Sequence, residues 1–319
     1  VIGSIVGEHY LIERELGTDQ FGKVYQGKDV RYPAEMNFSP VAIRIFDRKL
    51  TALPDFDRRF ADIAPKLQAC NQINIIRVYA QGYIKANDDF YLVSQMPSPN
   101  LLGAYIQRQR QLSQEQAGVI IDQLCAAIDY GQRQGLIHGN LNIWNVTLRD
   151  DGKIQVVDLG LMQMLLPFSL SEQERLLGWK TPVGIPEFLA PERFRGEPPA
   201  KYNDAYVLGV LLYLMITGRM PFVGKYQELV VAHSYQTPPL LNATIPNNIE
   251  LNQYFAKILS KTPLDRFSMQ DISIRYRQAV RLPRGMIPVY DTHPPLPTPP
   301  PPPEDDTKRR KGGLFGGKR

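Results

Sequence analysis

Cysteine is nearly absent from this chain, with only Cys70 and Cys125 in 319 residues. Two thiols cannot build a disulfide framework or a cysteine-rich zinc site. Both lie in apolar helical patterns, where a buried structural thiol is expected. So little cysteine suits a reducing compartment. Long apolar runs are missing too. The longest, AYVLGVLLYLMITG at 205–218, is opened by Asn203-Asp204 and closed by Gly218. It is too short to cross a bilayer and predicts a buried core helix. The first residues, VIGSIVGEHYLIERELG, have neither the basic start nor the apolar length of a signal peptide. Nor is there a strong charge of one sign. The formal charge is +5, and residues 304–319 hold six basic groups against three acidic ones. The body therefore carries only about +2, which argues against a nucleic-acid-binding domain. The last absence is local. LIHGNLNIWNVTL, 136–148, has the shape of a catalytic loop but contains no acid, lysine or arginine.

What is present suits one large domain or two lobes, since 43% of the residues are hydrophobic. Residues 8–30 and VAIRIF at 41–46 predict strands. Phe56, Phe60, Ile63 and Leu67 predict a helix over 55–70, with Pro65 inside it able to kink or shorten it. A hairpin around Asn87-Asp88 follows. After Asn100 the pattern turns helical, with a Ser113–Gln116 capping pair opening one helix. Two short strands flank an Asp151-Gly152 turn. A loop of about 30 residues then leads to the buried helix at 204–218 and to further helices up to about 281. The expected class is α+β: a small sheet-rich lobe over 8–98 and a larger helical lobe over 99–281. Residues 282–303 are proline-rich and predict an extended, solvated spacer. Residues 304–319 predict a basic disordered tail, the alternative being a weak membrane-surface or partner contact through it.

Seven stretches fall in a telling order: LGTDQFGKVY (16–25), VAIRI (41–45), IHGNLNIWN (137–145), VVDLG (156–160), GIPEFLAPE (184–192), NDAYVLGVLLYLMITGRMPF (203–222) and KTPLDRF (261–267). Together they resemble the protein-kinase fold, most closely a bacterial serine/threonine kinase domain. The resemblance implies a role for each matching residue. Gly17 and Gly22 match the outer glycines of the phosphate loop, but Asp19 replaces the middle one and turns a carboxylate toward the triphosphate. An ordinary hairpin turn suits Asp19 better. Arg44 replaces the strand lysine that holds the phosphates, and the two are not interchangeable. The helix glutamate that pairs with that lysine aligns with Ile63, beside Asp62. Arg44 is then expected to point at Asp158, Asp19 or solvent. Val24 and Ala42 would roof the adenine pocket. At the hinge, Ser94 is the gatekeeper and Gln95 offers the C=O, whereas Pro97 takes the place of the N–H donor and has none. A one-residue shift would restore a donor.

In the catalytic loop, Asn140 replaces the catalytic aspartate, Asn142 the phosphate-steadying lysine, and Gly139 the arginine that anchors a phosphorylated activation loop. An amide cannot accept the substrate proton, and losing such a base typically costs about 10²–10⁴ in rate. Losses within one site do not simply add. Asn145 and Asp158 match the metal-binding pair and could hold Mg²⁺; the alternative is that Asp158 caps a turn or pairs with Arg44. Ile185 stands where a threonine usually supports the aspartate. Ser169, Ser171 and Thr181 lie in the loop with no anchoring arginine at 139. The structural residues survive: His138, Glu192 paired with Arg266, and Asp204, which would cap the buried helix and hold the His138 backbone.

The resemblance thus implies a pseudokinase, with the fold retained and the chemistry lost. The expected work is signalling, as a scaffold or allosteric partner of a protein such as an active kinase. No cofactor is expected, with weak ATP/Mg binding as the alternative. An ATP sensor without turnover, or residual phosphoryl or nucleotidyl transfer with Asp150 or Asp151 recruited, are the competing readings. The expected location is cytoplasmic, with membrane association through the tail as the alternative.

Overall fold

The computed structural model describes residues 1–32 and 40–282. The expected spacer from 283 onward and the basic tail lie outside the described residues. The fold is mixed α+β, with an N-terminal sheet and a larger C-terminal helical region. The sheet has six strands: β1 (Ile5–Val6), β2 (Tyr10–Asp19), β3 (Gly22–Asp29), β4 (Val41–Phe46), β5 (Val78–Ile84) and β6 (Asp89–Gln95). Their order is β1-β2-β3-β4-β6-β5, and the paired strands run antiparallel. The sheet thus begins at Ile5, three residues before the expected domain start. The hairpin at Asn87-Asp88 joins β5 to β6, and Asp88 takes the left-handed backbone that such turns favour.

Alternation decides what β4 presents. Val41, Ile43 and Ile45 pack into one apolar cluster with Ile12, Tyr25 and Val93. Ala42, Arg44 and Phe46 therefore face the other way, toward the helical region. Between β4 and β5 come α1 (Arg48–Thr51) and α2 (Phe56–Ala69). Helix α2 buries Phe56, Phe60, Ile63, Ala64 and Leu67, one stripe at helical spacing. Phe90 locks against this stripe, its ring 4.8 Å from that of Phe56 and 4.9 Å from that of Phe60. The helix continues through Pro65, which sits on the exposed face.

The helical region opens with α3 (Leu102–Gln109) and α4 (Gln114–Arg133), whose Ser113–Gln116 capping box makes both of its bonds. The short pair β7 (Val146–Leu148) and β8 (Ile154–Val156) follows. The segment read as a 30-residue loop instead carries α5 (Leu161–Leu165), α6 (Leu170–Leu177) and α7 (Pro191–Phe194). Helix α5 buries Leu161, Met162, Met164 and Leu165, and α6 is opened by a Ser169–Glu172 capping box. Helix α8 (Lys201–Thr217) is buried along nearly its whole length, as its unbroken apolar run requires. Helices α9 (Tyr226–Tyr235), α10 (Asn248–Ile258) and α11 (Met269–Val280) complete the region. One core runs from Phe21 in the β2–β3 turn through α2 and α4 to Tyr276 on α11. Cys70 and Cys125 are free and buried within it, as expected.

His233 on α9 is fully buried against Phe194, Tyr206 and Phe222, with its Nδ1 3.0 Å from the Tyr206 hydroxyl. Burial, reinforced by Lys261, pushes its pKa down to about 3. A depressed histidine stabilises the fold above its unfolded pKa of about 6.5 and loses that contribution as pH falls toward the folded value. Stability should therefore drop progressively below about pH 6.5, the loss amounting to about 3 kcal/mol by pH 4. His233→Gln should flatten this slope in denaturant titrations at pH 7, 5.5 and 4.

Candidate functional site

The site lies where the Ala42–Arg44–Phe46 face of β4 meets the helical region. At its outer edge, β2 and β3 form a tight hairpin in which Asp19 pairs with Gly22 across Gln20-Phe21. The Asp19 carboxylate accepts the Phe21 N–H at 2.8 Å, and Phe21 is buried. Gly22 is required: its φ is +140°, and a Cβ there would stand 2.1 Å from the Ile45 carbonyl oxygen. Gly17 has no such constraint, since nothing lies within 4 Å of a Cβ at that position.

Arg44 reaches out from β4 into two carboxylates. Its Nη1 donates to both Asp19 oxygens at 2.7 Å, and its Nη2 donates to Asp158 Oδ1 at 3.0 Å. Burial opposes the charged guanidinium, but Asp158 and Asp19 outweigh it and hold its pKa above the ordinary value. Burial likewise pushes the Asp158 carboxyl upward, with Arg44 pulling the other way. The cluster of one cation and two carboxylates is formally negative. The α2 position that the family gives to glutamate is Ile63, buried against the chain at Gly160. Asp62 beside it is solvated and pairs with Lys66 at 2.8 Å. Of the three directions open to Arg44, it thus takes Asp19 and Asp158 together.

Arg44 and Asp158 also line a cavity of about 130 Å³, together with Val24, Ala42, Leu67, Leu92, Ser94 and Pro97 among others. Its wall is mostly apolar. At the hinge, Ser94 donates its hydroxyl to the Gln95 carbonyl at 3.2 Å, and the Gln95 side chain accepts from Gln155 at 3.1 Å. Pro97 lines the cavity with no N–H to offer. Gln95, Gly17 and Gly22 do not line it.

The loop between α4 and β7 is held by its own amides. The Asn140 carbonyl accepts from Asn142 Nδ2 at 3.0 Å and from Asn145 Nδ2 at 2.7 Å. Asn145 Oδ1 accepts the Asn142 N–H at 2.9 Å, and Asn142 Oδ1 accepts the Trp144 N–H at 2.8 Å. His138 is buried, and burial pushes its pKa down. Asp204 accepts the N–H groups of His138 at 3.2 Å and Gly139 at 2.8 Å. It does not cap α8, as the sequence suggested. Asn203 does that, accepting the Ala200 N–H at 2.6 Å, while Asp204 lies one position further into the helix and faces the loop. Gly139 has φ +68°, and a Cβ there would come within 2.9 Å of Pro199. The local backbone thus supplies its own reason for glycine. Glu192 and Arg266 form the expected buried pair.

The geometry therefore brings Val24, Ala42, Arg44, Pro97 and Asp158 around one cavity, while Asp19 joins it only through its ion pair with Arg44. Asp151, weighed as a recruited acid, instead pairs with Arg149 and Lys153 at the β7–β8 turn. The sequence reading missed the amide interlock of the loop, and it gave the capping of α8 to Asp204 instead of Asn203. The asparagine spacing at 140, 142 and 145 was the available signal, because short amides bond readily to nearby backbone.

A two-lobed arrangement with these motifs in this order defines a protein-kinase-like domain. The family model described as protein kinase domain matches residues 10–275, and the chain belongs to that family. It is 26% identical over 275 residues to the probable serine/threonine-protein kinase PknB of Lactococcus lactis, covering 86% of this chain and 41% of that protein. It is 27% identical over 271 residues to the serine/threonine-protein kinase PrkC of Bacillus subtilis, covering 84% of this chain and 40% of that one. With the serine/threonine-protein kinase PknA of Mycobacterium tuberculosis it shares 24% identity over 271 residues, covering 83% and 60%. The chain thus spans about two fifths of the length of the first two relatives. Among the described residues, no helix is long and apolar enough to cross a membrane.

Proposed function

We propose that this is a protein-kinase domain that has given up phosphoryl transfer and works by binding a protein partner, as a signalling scaffold or as an allosteric element for an active kinase. The observation that carries this reading is Arg44 held between Asp19 and Asp158. The cation that would receive phosphates is neutralised, and the carboxylate that would hold Mg²⁺ already has a partner. A further carboxylate waits where a triphosphate would lie, and like charge there opposes binding. Asn145 Oδ1, the other metal-ligand oxygen, accepts a backbone N–H within its own loop. These residues do not fit a metal–nucleotide complex as they stand, and Asn140 has no basicity for a substrate hydroxyl. What remains serviceable is the outer surface of a well-packed fold.

The names of the relatives favour a second reading, residual serine/threonine phosphotransfer or nucleotide sensing, and Asn145 and Asp158 are the residues that would serve it. Thermal melts with millimolar ATP, each with and without Mg²⁺, separate the two. A ligand at about a hundred times its Kd adds about 2.7 kcal/mol to native-state stability, a rise of roughly 5–10 °C for a domain of this size. No shift is expected in any condition. A Mg²⁺-dependent rise would sink the non-binding reading, and phosphate incorporation from labelled ATP would then distinguish kinase from sensor.

A further inference from the structure

Arg193 on α7 is only 1% exposed, the largest side chain in the fold to be so deeply buried. Its Nη1 donates to the Glu197 carbonyl. Its Nε and Nη2 are buried and have no hydrogen-bond partner among the described residues. A guanidinium taken out of water needs both acceptors and a compensating charge. The nearby carboxylates are already spent. Glu192, next to it in sequence, is gripped by Nη1 and Nη2 of Arg266 and by Asn203 Nδ2. The Glu197 carboxylate pairs with Arg195 at 3.0 Å. Asp204 is turned to the backbone of His138 and Gly139. Burial pushes the Arg193 pKa down to about 10, with Glu192 opposing, so the side chain still holds its proton at neutral pH.

The surplus charge in this corner of the fold is positive. Arg266 and Lys261 both lie over the Tyr206 ring, at 4.8 and 5.7 Å. Burial, reinforced by Arg266, pushes the Lys261 pKa down to about 8. Three cations thus meet here, with Glu192 as the carboxylate bonded among them.

A small cavity lies beside Arg193. It holds about 10 Å³ and is lined by Arg193, Gly139, Asn140, Leu141, Ile185 and Asn203 among others. That is room for one water or one monatomic anion. Among the described residues, no carboxylate lines it. Asn140 stands where the family has its catalytic aspartate. An amide can donate a hydrogen bond to an anion, whereas a carboxylate would repel it. A water would offer the acceptor that Arg193 needs but not the charge.

We propose that this cavity is a halide site, in which one chloride ion accepts from Nε and Nη2 of Arg193 and ties α7 to the catalytic loop. The assignment does not depend on whether the domain binds nucleotide or a partner.

The test is the thermal midpoint of the full 319-residue chain across a chloride series, with sodium gluconate holding the ionic strength constant. Once chloride passes its Kd, each further tenfold rise should lift the midpoint by about 3–5 °C. Arg193→Met should lose that slope. A parent chain with no slope would mean that water fills the cavity, and the proposal is overturned. An equal slope in both chains would be a general salt effect, or a halide bound elsewhere, and overturns it too. Should Arg193→Met fail to fold, a crystal of the parent grown in bromide decides instead. An anomalous peak within hydrogen-bond reach of Nε and Nη2 is the expected result, and its absence rules the site out.

Discussion

An Arg266→Met chain should melt roughly 6–20 °C below the parent. Breaking a buried ion pair from one side costs about 3–5 kcal/mol, and each kcal/mol is worth roughly 2–4 °C in a domain of this size. The geometry puts Arg266 at the severe end. Its Nη1 and Nη2 grip the two Glu192 oxygens at 2.7 and 2.8 Å, and the two side chains are 1% and 0% exposed. The guanidinium also donates to the carbonyls of Tyr202 and Ser260, each at 2.9 Å, and lies 4.8 Å from the Tyr206 ring. Removing it leaves Glu192 with one remaining donor, Asn203 Nδ2 at 2.6 Å, inside an apolar wall. The double variant Glu192→Leu with Arg266→Met removes the stranded charge and should recover much of the loss. Thermal melts of the parent, Arg266→Met, Glu192→Leu and the double variant decide it. If the double variant is as unstable as the sum of the singles, the pair is not the unit described here.

That pair was legible in the sequence because its two motifs, APE and LDRF, keep both the residue types and their order. The sheet, α2, the capped α4 and the buried α8 were legible for a simpler reason. Each is set by local periodicity or by a side chain bonding within three residues. Helix α5 was not, and α6 was passed over although its Ser169–Glu172 capping box is a signal of the same kind. Five residues of α5 carry too few turns to show a period, and its Leu161, Met162, Met164 and Leu165 are apolar because α2 packs over them. Asp204 was misassigned in part for a related reason. Sequence marks the start of a helix well but does not say which of two adjacent polar residues turns back to cap it. Gly139 shows the converse. Aligned with the family it is a lost arginine, whereas the backbone makes it a position where a Cβ would collide with Pro199. The direction of Arg44 was legible only as three alternatives, because Asp19 and Asp158 are 139 residues apart in sequence and meet through tertiary packing alone.

Replacing Arg44 with methionine should cost about 3 kcal/mol at neutral pH, the lower end for breaking a buried charge cluster. The discount reflects exposure: the Asp19 and Asp158 side chains keep 41% and 25% of theirs, so water screens part of the penalty. The loss should also depend on pH in a definite direction. Burial already raises the Asp158 carboxyl, and Arg44 is the main group opposing it. Without Arg44 that pKa rises further, so the folded chain holds the proton more tightly than the unfolded one. A group of this kind contributes stability below its unfolded pKa and loses it as pH rises through the folded value. The gap between parent and variant should therefore be wide at pH 8 and narrow toward pH 4.5, measured by denaturant titration in the same salt. A gap that widens on acidification would mean that Asp158 is not the group left stranded. Arg44→Lys, which restores the family's own residue, should fall between the two chains, because one ammonium cannot donate to both carboxylates as a planar guanidinium does. It should also stay blind to ATP and Mg²⁺, since Pro97 still offers no N–H and Asn145 still spends its oxygen on the Asn142 backbone. A Mg²⁺-dependent rise in the midpoint of the Arg44→Lys chain would place the whole block on nucleotide in the Arg44 clamp, and none of it in the hinge or the loop.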